Sequence, residues 1–159
     1  MLERDGSLTI GERAATRFFS WGFDNSTPTL IPNLSIRNHG MVPLMASQNG
    51  KLFILGGTAG PKLVDIYENG QVRNVQSQPP MGLANGCASF LPAEDNLVYY
   101  GGGEIMNPTF SGYTNIFWTY DIANDTYTQI PSLPDNGLSS HGCVGVETKS
   151  GEKVRPTVN

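Results

Sequence analysis

Two histidines and two cysteines are the side chains in this 159-residue chain best suited to metal binding or nucleophilic chemistry, and their spacing argues against both. His39 and His141 each stand directly before a glycine, in His39-Gly40-Met41 and His141-Gly142-Cys143. Asn85-Gly86-Cys87 has the same form with asparagine in the histidine's place. A zinc or copper site needs three or four convergent ligands, usually announced by closely spaced Cys or His pairs. No third histidine or Cys-Cys spacing supports one. The simpler expectation is a polar side chain that bonds loop backbone at the start of a strand. Two cysteines do not make a disulfide framework. Cys87 and Cys143 fall at matching places in two repeated segments, so they read as two small buried thiols in neighbouring units rather than a bridge.

Other catalytic arrangements are equally thin. Asp24, Glu68 and Asp121 each follow an aromatic residue at the start of a turn. An aspartate there bonds backbone two residues on, so paired catalytic carboxylates are not expected. Gly101-Gly102-Gly103 follows a β-rich run, but no Gly-Lys-Ser/Thr phosphate loop exists, and the following helix and the spacing are lacking. A nucleophile elbow is missing too. The residues therefore predict no catalytic group, no metal site and no cofactor.

The elements that carry these residues recur. One anchor is the polar-Gly pair opening a short apolar stretch, at Gly40, Gly86 and Gly142. A second is a β-rich run ending in glycines: Leu52-Phe53-Ile54-Leu55-Gly56-Gly57 and Leu97-Val98-Tyr99-Tyr100-Gly101-Gly102-Gly103, with Leu8-Thr9-Ile10-Gly11 as a weaker copy. A third is an aromatic-acidic pair followed by a turn and a second short strand: Phe23-Asp24, Tyr67-Glu68 and Tyr120-Asp121. The three anchors repeat in the same order, and that order is far more specific than any glycine pair alone.

In this order and spacing the chain resembles the kelch repeat family over about residues 6 to 153. Kelch units run about 50 residues and form four-stranded β-propeller blades. In that family a tryptophan usually lies in the fourth strand, seven residues after the tyrosine. Tyr127 holds that place in the last full repeat, and the earlier repeats have no aromatic there. The resemblance implies an all-β fold of antiparallel four-stranded blades in an incomplete ring, one partial propeller over residues 1–159 with blade segments at 7–34, 40–80, 86–133 and 141–154.

The first segment lacks an innermost strand and offers Ser7–Gly11, Arg17–Phe23 and Thr29–Pro32. The second is complete, with strands at Gly40–Ser47, Lys51–Gly56, Leu63–Tyr67 and Gln71–Val75. Its hairpin turns are Asn49-Gly50 and Asn69-Gly70, because both residues of Asn-Gly tolerate positive φ. The third has Gly86–Leu91, Asn96–Tyr100, Asn115–Asp121 and Tyr127–Ile130, with residues 104–114 inserted as a loop. The fourth begins at Gly142–Glu147 and reaches Lys153–Val154, where Pro156 stops a central strand.

Closed propellers need roughly four to eight blades. Three arrangements fit the count: a piece of a longer propeller, an open array, or a homodimer that exchanges the spare inner strand to complete a six-bladed ring. Bulk composition sets further bounds. Apolar residues are 38% and charged residues 15%, with a net charge of −4 and no Lys/Arg cluster. This excludes a disordered tail and gives no nucleic-acid footprint. No apolar stretch approaches the ~20 residues of a spanning helix, so no membrane partner is expected. The compartment defaults to the cytoplasm, with an extracellular setting as the alternative. Three sequons, at Asn25, Asn33 and Asn124, are close to the number expected by chance and say little about it.

Function then rests on loops over a rigid scaffold. The longest is 104–113, carrying Met106, Asn107, Phe110 and Tyr113. Beside it lie 78–85, with Met81 and Asn85, and the segment ahead of the last repeat, with Asn136 and His141. Aromatic residues and Met are enriched at interface hot spots. The expectation is a non-enzymatic kelch scaffold that binds a protein or peptide partner through these residues. The alternative is a fragment of a galactose-oxidase-like or extracellular glycan-binding propeller. A copper radical oxidase of that type would need a Tyr crosslinked to a Cys, together with a copper-binding Tyr and two His.

Overall fold

A computed structural model describes residues 7–11, 18–22, 27, 29–31, 39–91, 94–132, 134, 137, 142–143, 146–147 and 153–154. Every regular element among them is a β-strand, and all pairings are antiparallel. A three-stranded sheet comprises β1 (Ser7–Gly11), β2 (Phe18–Gly22) and β3 (Thr29–Ile31) in that order. A four-stranded meander follows: β4 (Leu44–Gln48), β5 (Lys51–Leu55), β6 (Val64–Glu68) and β7 (Gln71–Asn74). Next comes a five-stranded sheet of β8 (Leu83–Ala84), β9 (Cys87–Leu91), β10 (Glu94–Met106), β11 (Phe110–Asp121) and β12 (Thr126–Ile130). Finally β13 (Val146–Glu147) pairs with β14 (Lys153–Val154).

Turn chemistry sets the register of the four-stranded sheet. Asn49 and Gly50 have φ of 51° and 75°, and Asn69 and Gly70 have 52° and 79°. Two consecutive left-handed residues make the two-residue turn whose twist matches that of the flanking strands. Gln48 therefore sits opposite Lys51, and Glu68 opposite Gln71.

With the register fixed, the period-two alternation sorts side chains to two faces. Phe53 and Leu55 on β5 join Leu44, Ala46, Val64 and Ile66 on one face. That face packs on Leu83, Ala88, Phe90, Val98, Tyr100, Trp118 and Tyr120 of the five-stranded sheet. Leu52 and Ile54 point the other way and are just as buried, beside Met45, Tyr67 and Val72. A strand apolar on both faces is one whose sheet is covered on both sides. Each fully buried Phe, Leu or Ile contributes about 2 kcal/mol of transfer free energy.

Aromatic rings weld the two larger sheets together. Phe53 lies 5.8 Å from Tyr120 and 6.3 Å from Tyr100, centroid to centroid. Tyr100 stacks on Trp118 at 5.8 Å, and Tyr120 on Tyr127 at 4.6 Å. Burial pushes the Tyr100 phenol far above its usual value, and its hydroxyl has no hydrogen-bond partner among the described residues. Tyr127 is pushed up to about 12, chiefly by burial.

The Gly-Gly ending of β5 has a steric cause. A Cβ on Gly56 (φ 69°) would lie 2.0 Å from the Leu83 carbonyl oxygen, and one on Gly57 would lie 2.3 Å from the His39 carbonyl oxygen. The chain there is squeezed between the segment leading into β4 and the start of the next sheet. Gly57 N–H donates to that Leu83 carbonyl at 2.7 Å. No side chain fits such an approach of backbone to backbone.

Beyond β7 a polar latch joins the sheets. Asp125, in the β11–β12 turn, accepts hydrogen bonds from Ser77 Oγ and, at 2.7 Å, from the Tyr120 hydroxyl. Tyr127 donates in turn to the Ser77 carbonyl at 3.3 Å. The Ser77 bond first, then that from Tyr120, holds the Asp125 carboxyl below the usual range. A depressed carboxyl stabilises the fold above its unfolded value of about 3.9, and that contribution disappears as pH falls through the folded value. Because Asp125 is partly exposed, solvent screening limits it to less than about 1 kcal/mol. Urea midpoints of the wild type and of Asp125→Asn should therefore differ at neutral pH and draw together as acid protonates the folded-state carboxyl, at a pH below its unfolded value. A constant gap across that range would mean the latch is not what the carboxylate supplies.

The structure corrects two expectations. Cys87 and Cys143 are not separate thiols: they form a disulfide, with Cα atoms 5.7 Å apart. Inner strands of consecutive sheets run side by side, as β4 and β9 do, so matching positions on neighbouring units face each other instead of standing apart. Residues 104–114 are not a loop either. They extend β10 and β11 into one long hairpin whose tip is only Asn107–Thr109. Backbone pairing through Gly103↔Thr114, Glu104↔Tyr113 and Ile105↔Gly112 carries the ladder past the glycines.

Candidate functional site

The long hairpin is built to hold its tip still. Past Gly101, β10 leaves β9 and takes β8 as its neighbour, with Glu104 opposite Ala84 and Ile105 opposite Leu83. The crossing is close: a Cβ on Gly103 (φ 89°) would lie 2.4 Å from the Ala84 carbonyl oxygen. Met106 N–H donates to the Gly82 carbonyl at 3.0 Å, and Ser111 Oγ to the Ile105 carbonyl at 3.2 Å. At the tip, Asn107 N–H donates to the Thr109 carbonyl at 2.8 Å.

Phe110 and Tyr113 stand on this hairpin 51% and 54% exposed. Their rings meet edge to face, with centroids 5.1 Å apart. Aromatic pairs favour that geometry, and each ring limits the other's freedom. Gly137 packs against the base of Tyr113: a Cβ there would lie 2.9 Å from the tyrosine's own Cβ. Gly137 thus lies beside the hairpin.

The remaining predicted residues divide clearly. Asn107 is exposed at the tip and Met106 is half-buried beneath it. Met81 is half-buried and packs on the main core. Asn85, with a left-handed φ of 55°, donates from Nδ2 to Glu104 Oε1 at 3.0 Å, and its N–H donates to the Val42 carbonyl at 2.8 Å. It ties the β8–β9 junction to the hairpin and offers little to a ligand. Asn136 and His141 lie outside the described residues.

His39 occupies in the four-stranded sheet the place that Asn85 holds in the next. It is fully buried. Nδ1 lies 2.8 Å from the Gly56 carbonyl oxygen and Nε2 lies 3.0 Å from Asp65 Oδ2. The His39 carbonyl accepts from Ala59 N–H at 2.9 Å. The ring is structural, as its position before Gly40 suggested. Met41 escaped the sequence reading: it sits two residues on, 66% exposed, with Thr58 Oγ1 accepting from its N–H at 3.0 Å. It matches Cys87 and Cys143 in the repeat but is far more exposed than either. Among the described residues no group of three or more His, Cys, Asp or Glu side chains is placed to hold a metal ion.

No family model and no curated protein matches the chain. Solved structures do match it. One is the structure of YjhT, with a TM-score of 0.65 at 15% sequence identity, covering 95% of this chain. The likeness covers 63% of the YjhT chain, so this chain spans less than two-thirds of that protein's length. At that identity the two share a fold.

Proposed function

We propose that the sheets are kelch-type propeller blades and that the chain is a non-enzymatic scaffold, binding a protein or peptide partner through the β10–β11 hairpin. The observation that carries this reading is the Phe110–Tyr113 pair: two large rings, each more than half exposed, on a hairpin fixed by β8. Rigid exposed aromatics lose little entropy on binding and desolvate well, which is why they dominate interface hot spots. The Cys87–Cys143 disulfide occupies both cysteines of the chain and leaves no thiol for a Tyr–Cys crosslink, which supports the non-enzymatic reading over a copper radical oxidase.

Deleting 104–113 would remove the ladder that pairs with β8, so the test is a substitution. A photoreactive side chain at exposed Asn107 crosslinks the partner and identifies it. Phe110→Ser with Tyr113→Ser should then weaken binding by about 30-fold or more while thermal unfolding stays at the wild-type temperature. Unchanged affinity in a folded double variant would remove this surface from the interface.

The disulfide favours one second reading, an extracellular propeller that binds glycans, because disulfides persist in oxidising compartments. Exposed aromatic faces also stack on sugars. Retention on a glycan array, lost in the same double variant, would favour it over a protein partner.

A further inference from the structure

We propose that Asn124 carries an N-linked glycan. Asn124-Asp125-Thr126 is an acceptor sequon, and it occupies the β11–β12 turn, where Asn124 and Thr126 are both exposed. A sequon alone is weak evidence. Two structural observations make this one specific.

The first is the disulfide between Cys87 and Cys143. Such bonds form and persist on the secretory route and are rare in the cytosol. That route is also where asparagine meets a lipid-pyrophosphate oligosaccharide donor. The disulfide thus points to the compartment in which an exposed sequon is a substrate.

The second is the geometry of the turn. Asp121 accepts hydrogen bonds from Ala123 N–H at 2.9 Å, Asn124 N–H at 3.0 Å and Asn124 Nδ2 at 2.7 Å. Asn124 Nδ2 carries two hydrogens and uses one in this bond. In glycosylation Nδ2 displaces the pyrophosphate at C1 of the donor sugar. The N–C1 bond forms, the C1–O bond breaks with its electron pair leaving on the lipid pyrophosphate, and one amide proton is released. The product amide keeps its second hydrogen, so the bond to Asp121 and the turn both survive. Asn124 side-chain and backbone bonds are also what hold the Asp121 carboxyl below its usual range.

Position completes the case. Asn124 lies three residues past Asp121, the last residue of the twelve-residue β11, and Phe110 is the first. An extended strand of that length separates them by on the order of 40 Å. A glycan at the turn leaves the aromatic pair accessible and covers the edge beside the Ser77–Asp125 latch.

The experiment is mass spectrometry of the full chain purified from its own cells, treated with peptide N-glycosidase in ¹⁸O-water. The expected result is conversion of Asn124 to ¹⁸O-labelled aspartate in a chain whose Cys87–Cys143 bond is intact. In a glycosylating host, Asn124→Gln and Thr126→Ala should each lose one glycan's mass, while Thr126→Ser retains it. Peptide mapping separates Asn124 from the sequons at Asn25 and Asn33. Unmodified Asn124 in the disulfide-bonded native chain overturns the proposal, as does a native chain with both cysteines reduced.

Discussion

Replacing His39 with alanine should lower the unfolding free energy by about 3 kcal/mol, a large share of the 5–15 kcal/mol that a domain typically has. The imidazole is fully buried, and its two ring nitrogens tie the end of β5 to β6. Its Nδ1 faces the Gly56 carbonyl at the end of β5, its Nε2 faces Asp65 on β6, and its own carbonyl caps the Thr58–Gly60 bend. Truncation leaves a cavity the size of a ring, and it deprives a buried carboxylate and a carbonyl of their contacts with His39. Removing one member of a buried polar set costs more than the set contributes while intact. His39→Asn should fall between the wild type and His39→Ala, because asparagine does the related work at position 85, reaching Glu104 from the start of β9. Equilibrium urea unfolding measures all three. A His39→Ala midpoint equal to that of the wild type would mean the histidine is a bystander and its site a candidate for something else.

The same residue shows how far composition and spacing reach. The repeated polar-Gly pair identified a side chain that bonds backbone at a strand start, and His39 does so. The two Asn-Gly turns and the strand they join were legible because a two-residue turn with positive φ leaves the backbone almost no choice. The run Leu52-Phe53-Ile54-Leu55 before Gly56-Gly57 was legible as a strand, and β5 spans Lys51–Leu55. Asp121, read as a turn former, binds the N–H two residues on.

What escaped was everything that depends on how far one unit lies from the next. β8 is two residues long and has no pattern of its own; it exists because Gly103 lets β10 slide under Ala84. The 104–113 segment contains Pro108 and Gly112 and reads as a loop by local rules. Yet its backbone finds partners on both sides, in β8 and in β11. Tertiary pairing overrides local turn chemistry where a second strand is close enough to satisfy the amides. Exposure of Phe110 and Tyr113 could not be read either, since a hairpin tip that folds back and one that stands clear have the same sequence.

The cysteines were misjudged on the same ground, and they carry the other large expected effect. Their bond joins the inner strand of the five-stranded sheet to the segment that leads into β13, closing a loop with a sequence separation of 56 residues. Removing a crosslink over that span restores to the unfolded chain an entropy worth about 4 kcal/mol in the chain-closure model. The Cys87→Ser/Cys143→Ser double variant should therefore lose stability by about that amount relative to the oxidised wild type. Reductant should lower the wild type to the level of the double variant and leave the double variant where it is. Cys87 is buried and Cys143 half-buried, so each serine also brings a hydroxyl into a place shaped for sulfur, and Cys→Ala at both positions separates that cost from the loss of the bond. If the alanine pair is as stable as the oxidised wild type, the last strand pair is held to the fold by packing alone, and the sulfur bridge is incidental to it. If it is not, the bridge is what keeps the edge of the fourth unit against the third, and an oxidising environment is a condition of this fold.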